Sequence, residues 1–119
     1  MITYVLVAVG GALGSVGRFW LGNAVMTFAG AVFPWGTIII NILGSFVIGW
    51  FSARYPGSND ARAFVMAGLC GGFTTFSAFS LQTAELLRAG EAERAMANVV
   101  LSVAVCLLAT LLGLALGRQ

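Results

Sequence analysis

This sequence predicts an all-α membrane protein with four transmembrane helices per subunit, the third of them broken, and three observations carry the prediction. Apolar residues fill 60% of the 119 positions and charged residues only 8%, far from the balance of a soluble domain of this size. The apolar residues gather in four stretches, at about 2–20, 33–53, 63–87 and 95–116, each near the ~20 residues that cross a bilayer. The third stretch is interrupted by Gly71-Gly72 and Thr74-Thr75. Glycine costs a helix backbone entropy, and threonine hydroxyls compete for its backbone hydrogen bonds, so a break is expected between Gly71 and Thr75. One domain, residues 1–119, accounts for the whole chain.

No basic n-region precedes the apolar run from Ile2, so the first stretch is expected to remain as a span instead of being cleaved. Its Gly10-x-x-x-Gly14 motif lets another backbone approach closely, either within the chain or across a dimer seam. Arg18 is the one charge in this span, placed near its end, where an arginine either snorkels to the interface or attracts anions at a vestibule. Tyr4, Trp20, Trp35, Trp50 and Tyr55 fall near the proposed span ends and read as an interfacial belt.

The second span carries Asn41 in an otherwise apolar run, away from either end. An amide there is costly unless it bonds across helices or donates to a permeant ion, and the placement favours a functional role. Between Arg54 and Arg62, Pro56, Gly57, Ser58, Asn59 and Asp60 form a short polar turn.

In the third span, backbone freed by the break survives in hydrocarbon only where protein buries it or where it lines a polar cavity, so its carbonyls are candidate cation ligands. Phe73, Phe76 and Phe79 recur every three residues, with Ser77 and Ser80 one position on, which would give one helix face aromatics beside hydroxyls. Glu85 to Arg94 reads as a wet loop around Gly90. The fourth span sets Asn98, Ser102, Cys106 and Thr110 at steps of four, a polar stripe that gives Ser102 a pore-lining or interhelical role. Cys70 and Cys106 both lie within spans and make no disulfide framework.

Charge distribution bears on orientation. With four spans, Arg54, Arg62 and Arg118 fall on one side and Arg18, Arg88 and Arg94 on the other, a balance that predicts insertion in both orientations. Dual topology leads to an antiparallel homodimer about a two-fold axis in the membrane plane. Four thin helices also enclose little volume, which favours a solute pathway between subunits.

Enzymatic chemistry lacks parts: the chain has no His and no Lys, and its four acids fall in or beside loops. The missing Lys also excludes a phosphate-binding loop, and six scattered arginines make no nucleic-acid patch. Passive transfer of a small ion remains. Amides, hydroxyls and the positive edges of phenyl rings are available to replace an anion's water without a fixed charge to trap it.

The run Gly71-Gly72-Phe73-Thr74-Thr75-Phe76-Ser77-Ala78-Phe79-Ser80 resembles the signature of the Fluc/CrcB family of fluoride channels, and Asn41-x-x-Gly44 is similar to that family's second-span pattern. The resemblance implies a dual-topology dimer of four-helix subunits in a cell's boundary membrane, with two fluoride pathways that export cytoplasmic fluoride down its gradient. A structural sodium ion (Na+) would sit at the dimer centre. By motif, Phe76 and Phe79 would be the pore phenylalanines and Asn41 the pore amide. The Gly71 and Thr74 carbonyls would bind sodium, and Thr75, Ser77 and Ser102 would line the pathway. Departures from the family pattern stand at Gln82, where an acid is common, at Asn98, where Tyr is common, and at Cys106, where a second hydroxyl is common.

Two rival readings differ in class. A small dual-topology multidrug or guanidinium exporter needs a membrane-embedded carboxylate, yet no Asp or Glu occurs from Met1 to Asn59. A non-conducting membrane assembly protein would use the broken span and the polar stripe as packing devices.

Overall fold

The computed structural model describes residues 1–119 and is helical throughout. Helix α1 covers Ile2–Ala29 and α2 covers Trp35–Arg54. The third span runs from a single turn, α3 (Asn59–Arg62), into a π-helical stretch at Ala63–Cys70 and a further turn, α4 (Gly71–Phe73). It resumes as α5 (Phe76–Arg88), and α6 (Ala92–Gly117) closes the chain. Four helical segments, Ile2–Ala29, Trp35–Arg54, Asn59–Arg88 and Ala92–Gly117, are long and apolar enough to cross a membrane. The longest dimension, 47 Å, is close to the ~40–45 Å of a bilayer with its headgroups.

Local chemistry sets the ends. Residues 21–29 are helix-compatible, so α1 continues past the expected end near Trp20 until Gly30, whose φ of 81° closes the helix while its N–H bonds the Met26 carbonyl. Arg18 and Trp20 therefore lie inside α1 and not at its end, which corrects both placements. Ser58 caps α3 by accepting from the Ala61 N–H at 3.3 Å. Gly90, with a φ of 78°, reverses the chain between α5 and α6.

The break is shorter than its sequence suggests. Gly71 and Gly72 stay helical, and only Thr74 (φ −86°, ψ 157°) and Thr75 (φ −149°, ψ 119°) are extended. The eight-residue π-helical stretch before it leaves no sign in the residue pattern. Because the break falls between Phe73 and Phe76, the expected aromatic stripe is split. The Phe73 ring lies against Gly17 of α1 and Gly44 of α2, while Phe76 and Phe79 share a face of α5 with ring centroids 5.4 Å apart.

Two glycine seams hold the helices together. A Cβ at Gly14 would overlap the Leu69 carbonyl, and one at Gly72 would reach the Gly11 carbonyl, so α1 lies directly on the π-helical stretch and α4. The Gly10-x-x-x-Gly14 motif is thus an intrachain seam. On the other side α2 and α6 run together, with Gly49 against the Thr110 backbone and Gly113 against that of Phe46. Thr110 Oγ1 adds a bond to the Ser45 carbonyl at 3.1 Å.

The first seam predicts a contrast one turn apart. Gly14→Ala should lower the stability of the purified protein by about 1–3 kcal/mol, because backbone must move. Gly11→Ala, whose added methyl would find nothing nearer than the Gly68 carbonyl at 3.9 Å, should change it by less than about 0.5 kcal/mol. Thermal unfolding in detergent, followed by size-exclusion fluorescence, measures both.

Candidate functional site

The site begins with two extended residues whose backbone groups have lost their helical partners. Asn41 of α2 supplies the replacement: the Thr75 N–H donates to Asn41 Oδ1 at 2.8 Å, and Asn41 Nδ2 donates to the Thr75 carbonyl at 3.0 Å. One side-chain amide thus satisfies both main-chain groups of Thr75, as a neighbouring strand would. Thr75 then caps α5 by accepting from the Ala78 N–H at 3.1 Å, and α5 starts with the positive end of its dipole at the break.

Upstream, Thr74 turns back on the preceding helix. Its N–H and its hydroxyl both donate to the Cys70 carbonyl, at 2.9 and 2.8 Å. Arg18 reaches across from α1 to donate its Nε to the Gly72 carbonyl at 3.1 Å. This bond occupies the guanidinium inside the fold, where an arginine at a helix end would have snorkelled.

The break releases the carbonyls of residues 71–74 from their helical donors; Arg18 takes that of Gly72, and of the others Gly71 and Thr74 belong to residues that line the groove around the break. In an unbroken helix the Thr75 N–H would reach the Gly71 carbonyl and the Ala78 N–H would reach that of Thr74. Both donors are diverted, to Asn41 and to the Thr75 hydroxyl. Gly71 and Thr74 therefore each present a main-chain oxygen released from its helical donor, the hard oxygen ligand that an alkali or alkaline-earth cation takes.

Around the break lies a groove of about 440 Å³ between α2, the third span and α6. It brings together Asn41, Gly71, Thr74, Thr75, Phe76, Phe79 and Ser102, and none of its lining residues is charged. Phe76 is 77% exposed along it. Two residues singled out in the sequence fall outside. Ser77 is exposed and sits 3.3 Å, hydroxyl to hydroxyl, from Thr75. Arg18 lines a second cavity of about 400 Å³ with Asn23, Thr37, Gln82 and Glu85, and Thr75 lines both spaces. Ser45, not singled out in the sequence, also lines the groove; its position one helical turn after Asn41 was the available signal.

The polar stripe of α6 faces inward. Asn98 is 1% exposed and Ser102 7%, and the two are linked to each other and to Thr83 of α5. Cys70 and Cys106 are free thiols.

Comparison with known proteins places the chain among relatives. The model of the family described as "CrcB-like protein, Camphor Resistance (CrcB)" matches residues 5–114. The chain belongs to the CrcB family. Among its relatives are three proteins named "Fluoride-specific ion channel FluC". That of Methylocella silvestris is 52% identical over 116 residues, covering 92% of this chain and 88% of the relative. Those of Opitutus terrae and Rhodospirillum rubrum are each 51% identical, covering 95% and 94% of this chain and 90% and 92% of theirs. This CrcB-family chain therefore aligns with its relatives through all four spans.

The clamp on Thr75 predicts a measurable exposure. In Asn41→Leu the Thr75 amide loses its acceptor and should exchange with solvent about 10- to 100-fold faster. In Asn41→Asp at acid pH, where a protonated carboxyl offers both an acceptor for the Thr75 N–H and a donor for the Thr75 carbonyl, it should stay protected. Hydrogen exchange with mass spectrometry across Thr74–Phe76 reads the difference.

Proposed function

We propose that this CrcB-family chain forms a fluoride-selective channel that lets cytoplasmic fluoride leave passively across a cell's boundary membrane. The observation that carries the reading is the uncharged groove where Asn41, Thr75 and Ser102 stand beside the rings of Phe76 and Phe79. Ring edges carry partial positive charge, and hydroxyl and amide hydrogens donate, so the groove offers an anion several weak partners. Weak, multiple partners allow entry and release, which conduction requires. A carboxylate for proton coupling is missing from the groove, in keeping with passive movement. The relatives' name supplies the identity of the anion.

Within this reading Phe76 and Phe79 carry the ion past the break, Asn41 holds the break open, and Thr75 and Ser102 supply hydroxyls along the groove, with Ser77 outside it beside the Thr75 hydroxyl. Arg18 spends only its Nε on Gly72, and the rest of its guanidinium faces the second cavity, which Glu85 also lines.

The channel is a homodimer of antiparallel, dual-topology subunits. The groove is open on one side, Phe76 is exposed along it, and with Arg18 inside α1 the flanking arginines are still near balance, Arg54, Arg62 and Arg118 on one side against Arg88 and Arg94 on the other. The Gly71 and Thr74 carbonyls would hold a structural sodium ion at the dimer centre, and the ion would supply positive charge there. The preference of such an ion for oxygen donors fits Gly71 and Thr74, two of the carbonyls released at the break.

Liposomes loaded with fluoride or chloride, with a potassium ionophore for charge balance, test the reading. Fluoride should leave at least about 100-fold faster than chloride, and Phe76→Ile or Phe79→Ile should slow fluoride by about tenfold or more. Equal efflux of both ions, or none from a folded dimer, would overturn it. Replacing sodium by N-methylglucamine throughout should weaken the dimer and slow fluoride together.

A further inference from the structure

A chain of three side-chain hydrogen bonds joins the Phe79 backbone to Ser102, and its direction is fixed at one end. Thr83 Oγ1 lies 2.7 Å from the Phe79 carbonyl, and a carbonyl only accepts, so the Thr83 proton is committed there. Thr83 Oγ1 can then only accept from Asn98, 2.8 Å away, which places Asn98 Nδ2 on that side. Asn98 Oδ1 is thereby turned toward Ser102 and accepts the Ser102 proton at 3.3 Å. The Phe79 carbonyl, on the residue whose ring lines the groove, decides which way the Ser102 hydroxyl points.

We propose that Asn98 is a positioning residue that holds the Ser102 proton away from the groove while no anion is there. The proposal rests on the channel reading above. Ser102 turns lone pairs toward the groove at rest and donates to an anion only by leaving Asn98. Its bond is the longest of the three, so Ser102 is the link that gives way. The effect is to weaken anion binding at this step and so to speed release.

Asn98→Leu, similar in shape and lacking the acceptor, frees the Ser102 proton for the groove. Fluoride flux in liposomes should then saturate at about three- to tenfold lower fluoride concentration, with the maximal rate lowered by a similar factor. Both effects should vanish in the Ser102→Ala background. A merely structural role for Asn98 would lower the rate without lowering the half-saturating concentration, and would persist without Ser102; either result overturns the proposal.

A measurement on the unsubstituted protein decides the matter if Asn98→Leu does not fold. In protein labelled with 13C at Asn and Ser, the Asn98 side-chain carbonyl is identified by its cross-peak to Ser102, which Ser102→Ala removes. That carbonyl should shift when sodium fluoride replaces sodium chloride. An unchanged resonance at saturating fluoride overturns the proposal. Absence of fluoride flux in the unsubstituted protein would instead overturn the channel reading and this role with it, whereas normal flux with Asn98→Leu indistinguishable from it would remove only the role of Asn98.

Discussion

A main chain that leaves its helix inside hydrocarbon must find partners at once, and the rest of this structure follows from how Thr75 finds them. Each unpaired polar group at that depth costs several kcal/mol. Asn41 resolves both groups of Thr75 with a single amide, which is why an otherwise apolar α2 tolerates a polar side chain in its interior. The same solution fixes the start of α5, and with it the placement of Phe76 and Phe79 beside the groove.

The glycine seams serve that junction. Gly14 and Gly72 bring α1 and α4 to backbone contact, which places Arg18 within reach of the Gly72 carbonyl. Gly44 leaves room for the Thr74 methyl, so α2 approaches the break closely enough for Asn41 to span it. The helix pair α2 and α6 then carries Ser102 to the opposite wall of the groove. Small residues are distributed where the break needs neighbours, and the outer surfaces of the fold keep the large apolar ones.

Much of this was legible in the residues. Four apolar runs mark the four spans because hydrocarbon thickness imposes their length, and Thr74-Thr75 mark the break because their hydroxyls compete for helix hydrogen bonds, while the glycine pair before them stays helical. Asn41 was conspicuous as a lone amide. What stayed hidden depends on tertiary contact. The π-helical register of residues 63–70 has no compositional mark, the extension of α1 to Ala29 hinges on where a helix-compatible sequence meets Gly30, and the Phe spacing of three could not reveal that the first ring lies across a break from the other two. The stripe on α6 was visible as a periodicity, but only Thr83, from another helix, shows which way its hydrogen bonds run.

The length of α1 bears on the lipid. Its 28 residues, at ~1.5 Å each, outreach a hydrocarbon layer of ~30 Å, whereas the 20 residues of α2 match it. Locked to the third span by glycine contacts, α1 has little freedom to adjust alone, so the mismatch is met by tilt of the pair, by local thickening of the bilayer, or by a protruding end. Membrane thickness thereby acts on the seam next to the break, and lipid chain length becomes a mechanical load on the same junction that Asn41 holds in place.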